Sequence, residues 1–455
     1  MNAERNGMKP QHITLIGAGL VGSLLAVYLA RRGYDVTIIE KRPDMRTAAI
    51  SAGRSINLAL ANRGIRPLEE LGLMQQVRDI IIPMKGRMLH DEQGQTQLVP
   101  YGQQPHEVIY SVSRGELNKL LMTAAEATGK VKIVFETGIE QIDFNQQRIL
   151  LKHEQTGAQQ PHHFELLIGA DGGGSVVRKA IDALHGKASI EEKLFHSYKE
   201  LNIAAGANGS FRIEKEALHI WPRGDFMMIG LPNNDGSFTM TLFAPDQGAV
   251  SFAALHDHAS FTRFFEQNFA DALKLMPDAA ETYFRNPTGF LGTVHCPNWY
   301  VQNKALLIGD AAHAIVPFHG QGMNCGFEDC FDLNRLLDEH HDNWQPVFAA
   351  YAAARKPNGE AIALMAQENY VEMRATVRDP KFQLKKTVGF ELEKRWPQLF
   401  SPRYSMVMFQ HIPYAEALRR GRINDDILAA LCDPIEQAEQ VDYILAEQLI
   451  RQKLG

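Results

Sequence analysis

Residues 12–40 read HITLIGAGLVGSLLAVYLARRGYDVTIIE. An apolar run up to Ile16 predicts a strand. A glycine turn follows, then a helix, apolar nearly all round, that ends near Gly33. A second apolar strand then closes on Glu40, completing a βαβ unit. Gly17, Gly19 and Gly22 form a G-x-G-x-x-G turn between the first strand and the helix. There the glycines let backbone N–H groups approach a pyrophosphate at the positive end of the helix. Glu40 stands at the distance expected of a carboxylate that accepts hydrogen bonds from a ribose diol. It would repel a 2′-phosphate, so the tightly held nucleotide is expected to be the adenosine half of FAD or NAD.

A later segment favours FAD. Residues 305–310, ALLIGD, form another buried strand that delivers Asp310 to the mouth of a helix, and residues 317–324, PFHGQGMN, follow soon after. An aspartate in that place can bind a ribityl chain. Gly320, Gly322, Met323 and Asn324 sit where a helix N-terminus can face the polar edge of an isoalloxazine. Between the two lies IGADGGGS, residues 168–175, with Asp171 after a buried strand and Arg178 three residues beyond. Taken alone, that stretch reads equally well as a plain strand-to-helix turn.

The three motifs in this order resemble the single-component flavoprotein monooxygenases built like p-hydroxybenzoate hydroxylase, whose GxGxxG, DG and GD motifs match residues 17–22, 171–172 and 309–310. Segments that this wide group does not share resemble the kynurenine 3-monooxygenase family. They are RSINLALA (54–61), Arg87 within KGRMLH, Tyr101 within PYG, PFHGQGMN, and ENYVEMR (368–374). The likeness runs from about residue 10 to 410. The tail departs from members that carry a C-terminal membrane anchor, because residues 420–455 hold no long apolar run, so the likeness is to the soluble bacterial form.

The resemblance implies an enzyme that binds FAD, takes hydride from NADPH and, through a flavin C4a-hydroperoxide, places one oxygen atom of O₂ on L-kynurenine to give 3-hydroxy-L-kynurenine. It implies that Arg87, Tyr101, Asn369 and Tyr404 hold the α-amino acid end, and that Leu218, Met227, Leu231, Phe243, Phe318 and Met373 wall the ring. Arg42, Ala59, Arg114 and Asp171 would join the FAD contacts. An arginine fork suits a carboxylate, and tyrosine hydroxyls with an asparagine amide can complete its hydrogen bonds. The cofactor carries the difficult chemistry. No catalytic triad or base is therefore nominated, and Phe318, His319 and Gln321 are expected to position the reactants. A hydroxylase of a phenolic or other aromatic acid is the nearest alternative. An NAD-dependent dehydrogenase explains residues 12–40 but not the region after Lys304. A non-catalytic carrier on a related scaffold, such as the Rab GDP-dissociation inhibitors, has no use for Asp310 and the amino-acid clamp together.

Bulk properties narrow the rest. A chain of 455 residues exceeds what one hydrophobic core fills, and 45% apolar with 22% charged residues is globular composition. A net charge of −6 without long like-charge blocks disfavours nucleic acid as a partner. Cys296, Cys325, Cys330 and Cys432 show no metal-ligand spacing, so neither a metal nor a disulfide is expected, in keeping with a reducing, cytoplasmic setting. The first ten residues lack a secretory apolar region, and Met8 is a second candidate start. Alternating apolar stretches between Glu200 and Phe243 predict antiparallel strands, and from Trp344 the pattern is helical.

The fold expected is α/β: a Rossmann-like FAD-binding domain interleaved with a substrate domain on an antiparallel sheet, plus a C-terminal helical region. The boundaries are placed at 8–80, 108–185 and 290–345 for the first, 81–107 and 186–289 for the second, and 346–455 for the third. Ser113-x-x-Glu116 predicts a capping box. Apolar residues after Asn424 are expected to pack, with a homodimer contact as the other use.

Overall fold

The computed structural model describes residues 11–48, 57–375 and 379–455. Met8 and residues 54–56 of the RSINLALA segment lie outside them. The chain divides into two compact units, each discontinuous: residues 1–80, 112–193 and 292–363 form the first, and 81–111, 194–291 and 364–455 the second.

The first unit is built on a six-stranded sheet in the order Tyr300–Val301, Ala305–Leu307, Leu166–Gly169, His12–Ile16, Asp35–Ile39, Val131–Val134. All pairs are parallel except that of the edge strand Tyr300–Val301. Parallel strands are covered on both faces, which is why Leu166–Gly169 and Ala305–Leu307 are buried at every position. The helix Leu20–Arg31 buries ten of the eleven positions from Leu20 to Ala30, all but Val21, and it packs against Arg114–Glu126 and Gly322–Glu339. A helix apolar on all sides is stable only when sandwiched in this way. At residue 113 only half of the predicted capping box forms. The Ser113 side chain accepts from the Glu116 backbone N–H, while the Glu116 carboxylate turns to Lys119.

The second unit contains the antiparallel strands read from the sequence, at Ala217–Pro222, Met227–Pro232 and Phe238–Pro245. They belong to a seven-stranded sheet that runs from Gly289–His295 at one edge to Gly86–His90 and Thr96–Pro100 at the other. Strand period separates its two faces. Met228, Met240, Leu242 and Trp221 point to one side, where the helices His258–Asn268, Ala270–Leu273 and Ala279–Arg285 cover them with Phe261, Phe265 and Phe269. Each such buried ring stabilises the sheet by about 1.5–3 kcal/mol.

Beyond residue 379 the helices Pro380–Arg395, Tyr414–Cys432 and Tyr443–Leu454 enclose a core of Val388, Leu392, Phe400, Ile427, Leu431 and Ile450. Leu428, Ile435 and Tyr443 pack against that core, whereas Ile444 is 76% exposed. The expected packing role therefore holds for most of the tail.

Candidate active site

In the first unit the three glycine motifs meet in space. Gly17 has φ +100°, and a Cβ there would stand 2.6 Å from the Ala170 carbonyl oxygen, in the segment that carries Asp171. The Ala170 N–H donates to the Ile16 carbonyl at 2.8 Å. From the other side, a Cβ on Gly326 would stand 2.5 Å from Val21 Cγ2, and Gly309 also packs on Val21. The early glycine turn and the late aspartate-bearing loop are thus neighbours, joined through a valine inside the fingerprint. Arg178, almost wholly buried, fastens the third piece, donating to the carbonyls of Gly173 at 2.6 Å and Ala311 at 3.0 Å.

The groups expected to touch FAD fall into two kinds. Some are open. Nothing would lie within 4 Å of a Cβ on Gly19, which starts the helix Leu20–Arg31 without a side-chain cap. Asp310 and Arg114 are exposed on the first turns of their helices. Such a bare helix start beside open space fits a pyrophosphate.

Others carry structural duties. Glu40 accepts from the Ala18 N–H at 2.8 Å and from the Arg42 N–H and Nε at 2.9 and 2.8 Å. Burial pushes its carboxyl up, but Arg42 and these backbone donors outweigh that and hold it below the ordinary glutamate value. A ribose diol must displace the Arg42 guanidinium, whose side chain is 54% exposed. Asp171 accepts from Ser175 Oγ at 2.6 Å and the Val176 N–H at 2.7 Å, capping the helix Val176–His185, which is the plain structural reading of that motif. Asn324 bonds Ala61 N–H, the Ala59 carbonyl and the Gly320 carbonyl, so it staples the loop to the strand Asn57–Leu60. Gly320 has φ +65°, and Gly322 begins the helix Gly322–Glu339, with Met323 buried in its first turn. Phe318, His319 and Gln321 are buried in the first unit.

The second unit brings together the residues expected to hold substrate. Arg87, with a side chain 7% exposed, donates to Glu372 Oε1 at 2.7 Å and to Asn369 Oδ1 at 3.3 Å. Its guanidinium carbon lies 5.1 Å from the Tyr404 ring centre and 5.9 Å from that of Tyr101. Those two rings stack at 5.4 Å with 9° between their planes. The Tyr101 hydroxyl is buried without a partner in hydrogen-bonding geometry among the described residues. Burial keeps both phenols neutral, raising Tyr404 to about 12 and Tyr101 well above its usual value.

Register explains the apolar part. Leu218 pairs with Arg87, and Met227 pairs with Phe243. With Leu231 four residues beyond Met227, all five project from the sheet face opposite the helix-covered one. Met373 lies one helical turn after Asn369, and the Asn369 amide reaches its sulfur at 3.3 Å.

Two groups escaped the sequence reading. Glu372 stood in the quoted segment ENYVEMR, three residues after Asn369 on one helix, a spacing that places both on the same face. Lys386, which reaches the Pro100 carbonyl beside Tyr101, is pushed down to about 8 by burial and by Arg87. Nothing in its local sequence marks it.

Comparison with known proteins gives the family and the fold. Residues 11–366 match the family described as FAD binding domain. The chain is 47% identical to kynurenine 3-monooxygenase of Myxococcus xanthus over 97% of its own length and 95% of that protein's. It is 45% identical to kynurenine 3-monooxygenase of Stenotrophomonas maltophilia, over 97% of each chain. Among solved structures, PqsL of P. aeruginosa in complex with 2-aminobenzoylacetate superposes with TM-score 0.64 at 20% identity, over 80% of this chain and 97% of that one. The tetrameric form of 2-methyl-3-hydroxypyridine-5-carboxylic acid oxygenase superposes with TM-score 0.65 at 21% identity, over 85% and 98%. These two likenesses establish the fold.

Proposed function

This chain belongs to the kynurenine 3-monooxygenase family of FAD-binding proteins, and from that premise we propose that it converts L-kynurenine to 3-hydroxy-L-kynurenine. Bound FAD supplies the chemistry, using NADPH as reductant and O₂ as the oxygen source. Gly17, Gly19 and Gly22 would hold its pyrophosphate, Glu40 its ribose once Arg42 swings away, and Asp310 its ribityl chain. Arg114, Gly320, Gly322 and Met323 would complete the surroundings. Asp171 and Asn324 act as the cap and the staple that keep these segments together.

The observation that carries the substrate assignment is the pairing of Arg87 with Glu372 beside Asn369 and two neutral tyrosines. A buried cation beside a partly exposed anion suits a zwitterion: the substrate's carboxylate takes the arginine fork and its ammonium takes Glu372. Tyr101 has a hydroxyl free to donate to the carboxylate. Leu218, Met227, Leu231, Phe243 and Met373 offer an apolar surface for the ring, and Phe318, His319 and Gln321 would help to position the reactants. Kynurenine's ring amine enriches its ortho carbon, so attack there requires orientation and exclusion of water more than a protein base.

A phenolic or other aromatic acid is the competing substrate class. It offers no ammonium for Glu372 and would leave that carboxylate without a partner once Arg87 is taken. The deciding experiment incubates the yellow protein with NADPH and a panel of kynurenine, anthranilate and hydroxybenzoates, then weighs the products. Kynurenine heavier by one oxygen is the expected result, and turnover confined to the acids would overturn the reading.

A cytoplasmic setting belongs to the same proposal, supported by four buried free cysteines. No described helix is long and apolar enough to cross a membrane. A homodimer is the assembly proposed, to be checked by light scattering.

A further inference from the structure

Behind the loop that carries Asp310 lies a buried charged cluster that the reaction does not use. Asp329, fully buried, directs Oδ2 at two donors: the Gly309 N–H at 3.0 Å and His313 Nε2 at 2.6 Å. Gly309 and His313 flank the single helical turn Asp310–His313, so one carboxylate oxygen holds both ends of the turn. Arg355 Nε donates to the other oxygen at 2.6 Å, and the same guanidinium reaches Glu328 at 2.7 Å and Asp332 at 3.0 Å. The imidazole has little room to move. It stacks on Trp299 at 5.3 Å, and a Cβ on Gly359 would stand 3.1 Å from His313 Cβ.

We propose that Asp329 is a positioning residue for the flavin: by gripping the Gly309 N–H and the His313 ring together, it fixes where the Asp310 carboxylate stands. The inference rests on Asp310 facing bound FAD and adds to that reading the group that sets its place. Gly309 sits at φ +61° as it enters the turn, and its N–H is aimed by Asp329. Asp310 is itself exposed, and among the described residues no partner holds its carboxylate by a hydrogen bond. His313, Cys325 and Asp329 offer donor atoms within 4.8 Å of one another, a geometry that could also suit a metal ion. Here the cation beside them is a guanidinium, which contacts Cys325 Sγ at 3.3 Å as well as Asp329.

The test uses the holoenzyme of three full-length variants: His313→Leu, His313→Gln and Asp329→Asn. Each is diluted into flavin-free buffer. Recovery of flavin fluorescence gives the rate of FAD release, and visible circular dichroism reports the setting of the ring. His313→Leu removes one grip and should speed FAD release about ten- to a hundredfold, the range for a lost hydrogen bond to a charged group, and alter the visible dichroism. His313→Gln keeps an N–H donor and should stay within about threefold of the parent. Asp329→Asn keeps an acceptor for Gly309 but loses the ionic grip, and should fall between them.

A merely structural role would lower the melting temperature of all three while release rate and dichroism stayed at parent values, and that result overturns the proposal. Should Asp329→Asn fail to fold, the leucine and glutamine pair decides alone. A parent protein that purifies colourless and takes up no FAD would defeat the functional reading itself, a failure distinct from unchanged release in the variants.

Discussion

Replacing Arg87 tests the substrate assignment most directly, because its side chain is 7% exposed and its fork is shared between Glu372 and Asn369. Arg87→Met removes the cation while roughly keeping the length of the stem. A substrate carboxylate would then lose a charge-assisted pair, for which truncation costs about 2–5 kcal/mol in buried settings. At about 1.4 kcal/mol per tenfold, KM for kynurenine should rise between about 30- and 4,000-fold. Arg87→Lys keeps the charge but not the two-pronged geometry, so it should recover only part of that loss. Stability should suffer less than binding, since the Glu372 side chain is 26% exposed and its carboxylate can be solvated when its partner goes. The assay is NADPH oxidation against kynurenine concentration, with product mass confirming hydroxylation, alongside thermal melting of each variant. A KM within threefold of the parent in a folded Arg87→Met protein would refute the clamp.

Glu372→Gln should raise KM for kynurenine about tenfold or more and tighten the weak binding of its des-amino analogue, as measured by substrate-induced changes in flavin absorbance. Gly17→Ala should abolish FAD retention on desalting, because the new methyl would meet the Ala170 carbonyl at 2.6 Å in a backbone conformation that L side chains rarely adopt. Asp329 is held down at about 2, with burial opposing and His313 and Arg355 prevailing. Because its folded value lies below the ordinary one of 3.8, its contribution to stability is present above about pH 4 and is lost as pH falls from there toward 2. Urea midpoints for the parent should therefore drop through that window more steeply than those of Asp329→Asn. His313 is shifted the opposite way, well above 6.5, with burial again opposing and Asp329 prevailing. Its share is complete below pH 6.5 and is lost only as pH rises through the folded value. His313→Gln should flatten the alkaline limb of the same urea series.

How far the sequence could be read depended on the range of the interactions. Residues 12–40 declare their fold because the glycine turn, the apolar helix and the strand ending in Glu40 are set by local sterics and periodicity. The strands at Ala217, Met227 and Phe238 were legible for the same reason. The use of Glu40, Asp171 and Asn324 within the protein was not. Glu40 is met by Arg42 and Ala18, Asp171 turns back to cap its own helix, and Asn324 reaches across to Ala59 and Ala61. These partners of Asn324 lie more than two hundred residues away and leave no periodic trace, whereas those of Glu40 and Asp171 are near in sequence but depend on how each side chain turns. The Asp329, His313 and Arg355 cluster stayed hidden although its members lie only 16 and 26 residues apart, because they sit in three successive segments and each alone reads as an ordinary helix residue. Lys386 is perturbed by burial, and burial of one lysine on a helix of mixed polarity has no local signature.

The clamp also explains how one site can favour a zwitterion over a plain acid. Arg87 and Glu372 are partnered with each other at 2.7 Å, so each has already met part of its desolvation cost. A kynurenine-like amino acid brings one charge of each sign and exchanges partners with both, and the pocket's net charge is unchanged. A simple carboxylate takes Arg87 but leaves Glu372 facing an added anion in a partly desolvated place, a like-charge arrangement that costs several kcal/mol. Lys386, pushed down to about 8 by burial and by Arg87, is a second cation near the clamp. Selectivity for the amino acid end thus follows from setting one pair of opposite charges beside two neutral tyrosines, and it should vanish together with the negative partner in Glu372→Gln, where kynurenine and its des-amino analogue are expected to bind alike.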